Sequence, residues 1–353
     1  MKEFSRNRRA FLKQSASAAG ALVLASPALI TSASAAAKYT MTFGHTFGAA
    51  SDTYMITGLS QFKEAAETHS DGELLVDIHE GGSLGGQDIL PQKVLTGAIQ
   101  GCQLSTGNFV NYSEVYNILD FPFLFESNDA FERTIAQDAF LNSEFISRPA
   151  ESGFQVVPGM WANAGFRVLG IGNRIDRVVR TPDDLAGLKI RTNGTRVEDV
   201  MFKLTSASPV SIAWGEAYQA MQQGAADALS VGLGPVTATK IHETLSSATL
   251  YELNLNCHIT VLSKRWFDGL PPNVQEAIMR AGQDSYQFQI SEQKRANDLM
   301  LQQWKDAGIE VITLTGPEKD VWIEAMGHQR SEYDDLKDAF GREAFDTIAS
   351  LQK

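Results

Sequence analysis

From Asn273 to Ala307 the chain runs 35 residues with no proline and one glycine, Gly282. Apolar side chains recur through it: Val274, Ile278, Ala281, Phe288, Ile290, Leu299, Met300 and Trp304. A helix of that length spans about 50 Å, more than the width of one small α/β unit. A single helix here has to cross two units, and two helices broken near Gly282 are the alternative. The single helix is the expectation.

The rest of the chain supplies two such units. Tyr39–Gly44 and Leu74–Ile78 read as strands, with helical spacing over Asp52–His69 between them. A glycine-rich loop, Gly81–Gly86, follows; Asp88 is placed to cap a helix running towards Ile99, and Gly101–Ser105 reads as a third strand. The rhythm returns with strand-like Phe154–Val157, Phe166–Gly170, Leu188–Arg191, Ala226–Ser230 and Cys257–Leu262. Helix candidates lie at Thr195–Leu204 and Gly215–Gln223. Alternation of this kind predicts an α/β fold with helices on the sheet faces. A length of 353 residues fits about two domains and leaves enough buried surface for a core without disulfides or metals.

The first 37 residues read as an export signal. A basic stretch ends in Arg8-Arg9 with Phe11, Leu12 and Lys13 behind it; an interrupted apolar run to Ile30 and small residues to Ala37 follow. The arginine pair resembles a twin-arginine signal. Removing this segment leaves 25 basic against 41 acidic side chains, so the exported chain is strongly acidic. That balance argues against a nucleic-acid partner. No later apolar run reaches membrane length, and the expectation is a periplasmic protein with no inserted segment. Cys102 and Cys257 sit among apolar or small residues and read as two buried free thiols.

Few motifs carry chemistry. Gly81-Gly82-Ser83-Leu84-Gly85 matches the nucleophile-elbow pattern, but the same glycines serve any tight loop and no acid–histidine pair stands out downstream. There is no phosphate loop or dinucleotide fingerprint, and the six histidines are scattered, so no cofactor and no metal are expected. Arg191 points elsewhere. It ends a strand, where open α/β sheets bind ligands, and a guanidinium there grips a carboxylate through two parallel hydrogen bonds. Arg167, on the preceding strand, makes a second cation of the same kind; pairing of either arginine with a structural acid is the competing reading.

At these residues the chain resembles the periplasmic solute-binding subunits of TRAP transporters, the DctP-type family. The resemblance runs from about Lys38 to about Thr315. It is carried by Gly82-Ser-Leu-Gly-Gly86, Gly97-Ala-Ile-Gln-Gly101, Asp120-Phe-Pro-Phe-Leu-Phe125 and Gly165-Phe-Arg167. Thr181 to Arg191 and Trp214 to Gly224 complete it. The resemblance implies a two-lobe periplasmic binding protein fold with crossing strands and a long bridging helix. Lobe I takes residues 38–164 and 257–296, and lobe II takes 165–256 and 297–353. It implies a binding protein, not an enzyme, that clamps a small organic acid between its lobes and delivers it to a small and a large membrane subunit. Carried over by position, Arg191 bonds the carboxylate and Arg167 is a second contact or orienter. His45, Ser105, Asn108, Asn163 and Trp214 are further cleft positions.

The chain departs from the family pattern at Ala228-Leu-Ser-Val-Gly-Leu-Gly-Pro235. Val231 stands where sialic-acid binders carry a polar residue, and Leu229 and Val231 would leave ligand hydroxyls without partners. That favours a monocarboxylate with an apolar or aromatic body over a polyhydroxylated sugar acid. Acidic and Gln side chains that hold a metal in some relatives are missing from Leu229 to Val236. Two rival readings remain: a secreted hydrolase using Ser83, and an acid-sensing protein that serves a receptor.

Overall fold

The computed structural model describes residues 37–54, 57–137 and 139–351, with the side chains at 51–52, 135–143 and 158–163 left aside. The export-signal reading falls outside the described residues. Ten strands form one mixed sheet. β1 (Tyr39–Gly44) lies between β2 (Leu74–His79) and β3 (Gly101–Ser105), parallel to both. The order then runs through β9 (Leu255–Ser263), β4 (Phe154–Gly172), β7 (Ala228–Gly232) and β5 (Lys189–Thr192) to β6 (Ser208–Ser211). β8 (Leu245–Leu250) pairs with β4, and β10 (Glu310–Thr313) with β8.

β4 carries the architecture. The two strands expected at Phe154–Val157 and Phe166–Gly170 are one strand of 19 residues. Its first part, from Phe154 to Phe166, pairs antiparallel with β9. Its last part, from Arg167 to Gly172, pairs antiparallel with β7 and β8. The exchange of partners coincides with a register break between Asn163 and Phe166, at Gly165 with φ +78°. A left-handed residue there favours glycine, and a Cβ would lie 3.1 Å from Asn297 of the long helix. β4 and β9 are the crossing strands.

The long helix is a single element, Pro272–Asp306, unbroken at Gly282. Its two ends enter different cores. Val274, Ile278 and Ala281 pack with Met41, Phe43, Phe62 and Val76. Ala296, Met300 and Trp304 pack with Val231, Val236 and Ala248. Trp304 is fully buried, stacks on His242 at 6.2 Å and donates Nε1–H to Thr237 Oγ1 at 2.8 Å. Trp304→Ala is therefore expected to cost about 3–5 kcal/mol, from lost packing and the lost hydrogen bond to Thr237. Urea unfolding measures it, and a loss under about 1 kcal/mol would contradict the bracing role of this end.

Three local expectations change. The helix expected over Asp52–His69 is split into Ala50–Thr53 and Leu59–His69. Gly58 (φ +62°) breaks it, and its carbonyl accepts a hydrogen bond from Ser285 of the long helix. Asp88 caps nothing: the next helix starts at Leu90 behind Ile89, with Pro91 in its first turn, and Asp88 stays exposed. The strand expected at Ala226–Ser230 begins at Ala228, because Asp227 is held in the turn before it. Asp227 N–H donates to the Lys189 carbonyl, and its Oδ2 accepts from the Lys189 N–H at 2.9 Å. Among the described residues no helix is long and apolar enough to cross a membrane. Cys102 and Cys257 are buried and free.

Candidate functional site

β5 delivers Arg191 to the base of a cleft of about 560 Å³. The side chain is 4% exposed. Its Nε–H donates to the Ile212 carbonyl at 2.9 Å, and the guanidinium carbon lies 5.3 Å from the centre of the Trp214 ring. Those contacts fix its direction and leave the terminal nitrogens unused, because no carboxylate among the described residues pairs with it. Burial, with Arg167 nearby, pushes its pKa down to about 10, and Glu198 opposes the shift. The group is still a full cation at neutral pH.

Arg167 is treated differently. It is 2% exposed on β4 and meets two acids. It donates to Glu198 at 2.6 Å and to Asp120 at 3.4 Å. The competing reading, a structural ion pair, therefore applies to Arg167 and not to Arg191. Glu198 sits in the first turn of the helix Arg196–Lys203, where Thr195 Oγ1 accepts its N–H at 3.2 Å. Its second oxygen accepts the Asn193 N–H at 2.8 Å, so one carboxylate neutralises Arg167 and sets a residue of the cleft wall. Burial drives the Asp120 carboxyl up to about 7; Arg167 opposes this and Glu198 adds to it. The sign follows. The folded protein holds this proton more tightly than the unfolded chain, so stability falls as pH rises from about 4 to about 7. Asp120→Asn is expected to flatten that part of the stability profile, measured by thermal melts across pH. An unchanged slope would contradict it.

Ser105 and Asn108 stand at the carboxyl end of β3 and in the short helix behind it. Asn108 Nδ2 donates to Ser105 Oγ at 2.8 Å and to Gln87 Oε1 at 3.0 Å. The same Gln87 oxygen accepts the Ser105 N–H at 2.7 Å, and Gln87 Nε2 donates to Thr46 at 3.1 Å. Beside Arg191 the cleft continues into a recess of about 20 Å³, walled by Phe47, Ser105, Arg167, Val231 and His258 among others. The Phe47 ring meets Trp214 at 6.3 Å and His258 at 5.2 Å, both edge-on. Burial, reinforced by Arg167 and His45, brings the His258 pKa down to about 3, so this imidazole is neutral.

The structure thus brings Arg191, Arg167, Ser105, Asn108, Trp214 and Val231 to one cleft and its recess. His45 is corrected. It is 2% exposed and stands behind Phe47, with the rings 6.5 Å apart, and Thr46 and Phe47 form the wall. The reason is that His45 still bonds the adjoining turn, through its N–H to His79 and its carbonyl to Gly82, and the chain turns outward only after it. Leu229 stands off the cleft as well. It packs in the core with Val168, Ala217 and Met221, so only Val231 of that pair faces the recess. The Asn163 side chain lies outside the described residues. Gln87, Asn193, Glu198, Asn256 and His258 were not read from the sequence as site residues. For Glu198 a signal existed: Thr195-x-x-Glu198 has capping-box spacing.

The cleft can fix an anion, and among the described residues no serine or cysteine in it is paired with a base. Ser83 lies in an exposed turn, with no bond from its hydroxyl to a histidine or carboxylate among the described residues. Burial pushes both cysteine thiols well up, away from reactivity. Among the described residues no group of three His, Cys, Asp or Glu is placed to hold a metal.

A buried cation with no counter-charge among the described residues, at the carboxyl edge of a sheet shared by crossing strands, fits a solute-binding cleft. Residues 43–335 match the model of bacterial extracellular solute-binding protein family 7, DctP, and the chain belongs to that family, the solute-binding proteins of TRAP transporters. It is 26% identical over 309 residues to the 2,3-diketo-L-gulonate-binding periplasmic protein YiaO of Escherichia coli strain K12, covering 88% of this chain and 90% of that one. Among solved structures, a TRAP periplasmic solute-binding protein of Sulfurospirillum deleyianum with bound succinate superposes with a TM-score of 0.81. It is 20% identical, over 89% of this chain and 99% of that one. A TRAP protein of Anaerococcus prevotii with bound D-glucuronate gives 0.80 at 24% identity, over 89% and 98%. These likenesses establish the two-lobe binding-protein fold.

Proposed function

We propose that this protein is the extracytoplasmic receptor of a TRAP transporter for a small organic acid, held by its carboxylate on Arg191. The observation that carries this is the unneutralised guanidinium: buried, aimed by Ile212 and Trp214, and unpaired among the described residues. A ligand carboxylate replaces lost water with two charge-assisted hydrogen bonds. Closure of the lobes over it then removes apolar surface at Phe47, Trp214 and Val231 from water, at about 25 cal/mol per Å². The closed form, favoured by ligand, is what the membrane subunits recognise. The protein binds without turnover, reaches the periplasm through its twin-arginine signal, and divides into its lobes near 164/165 and 256/257. The change of β4 partner beside Gly165 supports that division.

The ligand is a monocarboxylate with an apolar or aromatic body. Two cations line the cleft and recess, and Arg167 already has its counter-charges, so a second ligand carboxylate finds no free partner. The relatives with bound succinate, 2,3-diketo-L-gulonate and D-glucuronate take a dicarboxylate or sugar acids, so this ligand class sets the chain apart from them. The test is thermal shift of refolded protein against paired acids. A monocarboxylate at 100 times its Kd is expected to add about 2.7 kcal/mol, and the dicarboxylate of equal length far less. Silence across the panel would overturn the carboxylate reading, and a preference for dicarboxylates would overturn the finer one.

A further inference from the structure

Gln87 lies in the turn between the glycine loop and the helix that starts at Leu90. The loop is pinned to the end of β1: Gly81 N–H donates to the Phe47 carbonyl at 2.8 Å, and Gly82 N–H to the His45 carbonyl at 3.0 Å. That sets Gln87, 7% exposed, between Thr46, Ser105 and Asn108. The polarity of the hydrogen bonds among these four is fixed at one end. The Ser105 backbone N–H can only donate, so the Gln87 atom that meets it is the oxygen. The Gln87 nitrogen then faces Thr46 and makes Thr46 Oγ1 an acceptor. The Gln87 oxygen can only accept, so Asn108 turns its nitrogen there, and the same nitrogen donates to Ser105 Oγ. Both hydroxyl oxygens thus accept from an amide, and each keeps its own hydrogen, which has no acceptor among the described residues. Thr46 lines the cleft, and Ser105 lines the recess; Arg191 lines both.

We propose that Gln87 is a positioning residue that sets the polarity of this wall, holding the Thr46 and Ser105 hydroxyls as donors towards an anion on Arg191. The inference rests on the carboxylate reading of Arg191. Carboxylate oxygens only accept, so they match a wall of O–H donors and are refused by a wall whose hydrogens are turned away. The amide also holds the donors in place before the ligand arrives, which lowers the ordering cost of binding.

Calorimetry with phenylacetate and 3-methylbutanoate on refolded full-length mature protein tests this. Gln87→Glu keeps an acceptor for Ser105 N–H and for Asn108, but its second oxygen takes the Thr46 hydrogen and reverses that bond. At about pH 8 the variant is expected to bind at least about tenfold more weakly than wild type. The variant-to-wild-type ratio of Kd values is expected to fall as pH drops to about 4.5, because a protonated carboxyl donates to Thr46 as the amide does. The ratio cancels the ionisation of the acid itself. Thr46→Val is expected to weaken binding alone and to shrink the loss caused by Gln87→Glu, since the reversed bond no longer exists. Plain repulsion between the new carboxylate and the bound anion would leave that loss equal in both backgrounds. If Gln87→Glu does not fold, the same cycle with Gln87→Met decides, its losses expected to be less than additive with Thr46→Val. Wild-type affinity in the Gln87 variant, a ratio flat across pH, or additive losses overturns the positioning role and leaves the Arg191 reading standing. Failure of wild type to bind either acid at millimolar concentration overturns both.

Discussion

Arg191→Met is expected to weaken binding of the preferred acid by more than a hundredfold while the protein stays folded. The loss is on the order of 3 kcal/mol or more, because the ligand carboxylate is buried without its charge partner. The fold should not suffer. In the free protein the guanidinium is buried with one neutral hydrogen bond, to Ile212, and an aromatic contact to Trp214. Replacing an uncompensated buried charge by an apolar side chain of similar length is neutral or stabilising. The pair of measurements is therefore decisive: calorimetric Kd rises steeply and the melting temperature holds or climbs. Arg191→Lys keeps the charge but loses the planar fork and the ring contact, so it is expected to fall between the two. Near-native affinity in Arg191→Met would remove Arg191 from the site.

Glu198→Gln is expected to cost about 3–5 kcal/mol of stability, the largest effect of any conservative change near the cleft. Arg167 is 2% exposed, and Glu198 is its closer acid at 2.6 Å. The amide leaves Arg167 with Asp120 at 3.4 Å, an acid whose ionisation burial already opposes. The variant should also lower the Asp120 pKa, since a neighbouring negative charge has gone, and so shift the pH dependence of stability downward. The Glu198→Gln, Arg167→Met double variant is expected to recover much of the loss, because it removes the stranded cation too. Chemical unfolding of the four proteins gives the cycle. Additive losses would show that the two side chains do not act as a pair.

The long helix was legible because nothing in 35 residues interrupts it and its apolar positions are numerous. β1, β2 and β3 were legible from their alternation and their glycine boundaries. The place of Arg191 was legible because it stands at the end of an apolar run just before Asn193-Gly194, one residue short of the strand's end at Thr192. What the sequence hid depends on contacts between distant segments. Nothing near Arg167 announces that Glu198, 31 residues later, and Asp120, 47 residues earlier, will neutralise it. His258 reads as an ordinary core histidine until β9 pairs with β3 and sets it opposite Ser105. Gln87 looks like part of a polar loop, and only its bonds to Ser105, Asn108 and Thr46 give it a place in the wall. Short strands such as β6, with two serines in four residues, carry no usable period.

The central claim is that the cleft reads a carboxylate charge through one unpaired arginine. Calorimetry of the wild-type protein with the best acid of the panel and with its primary amide, equal in shape and lacking the charge, tests it most directly. The account predicts that the acid binds more than about a hundredfold tighter than the amide, since only the anion neutralises Arg191. An amide that binds within a few-fold of the acid would contradict it.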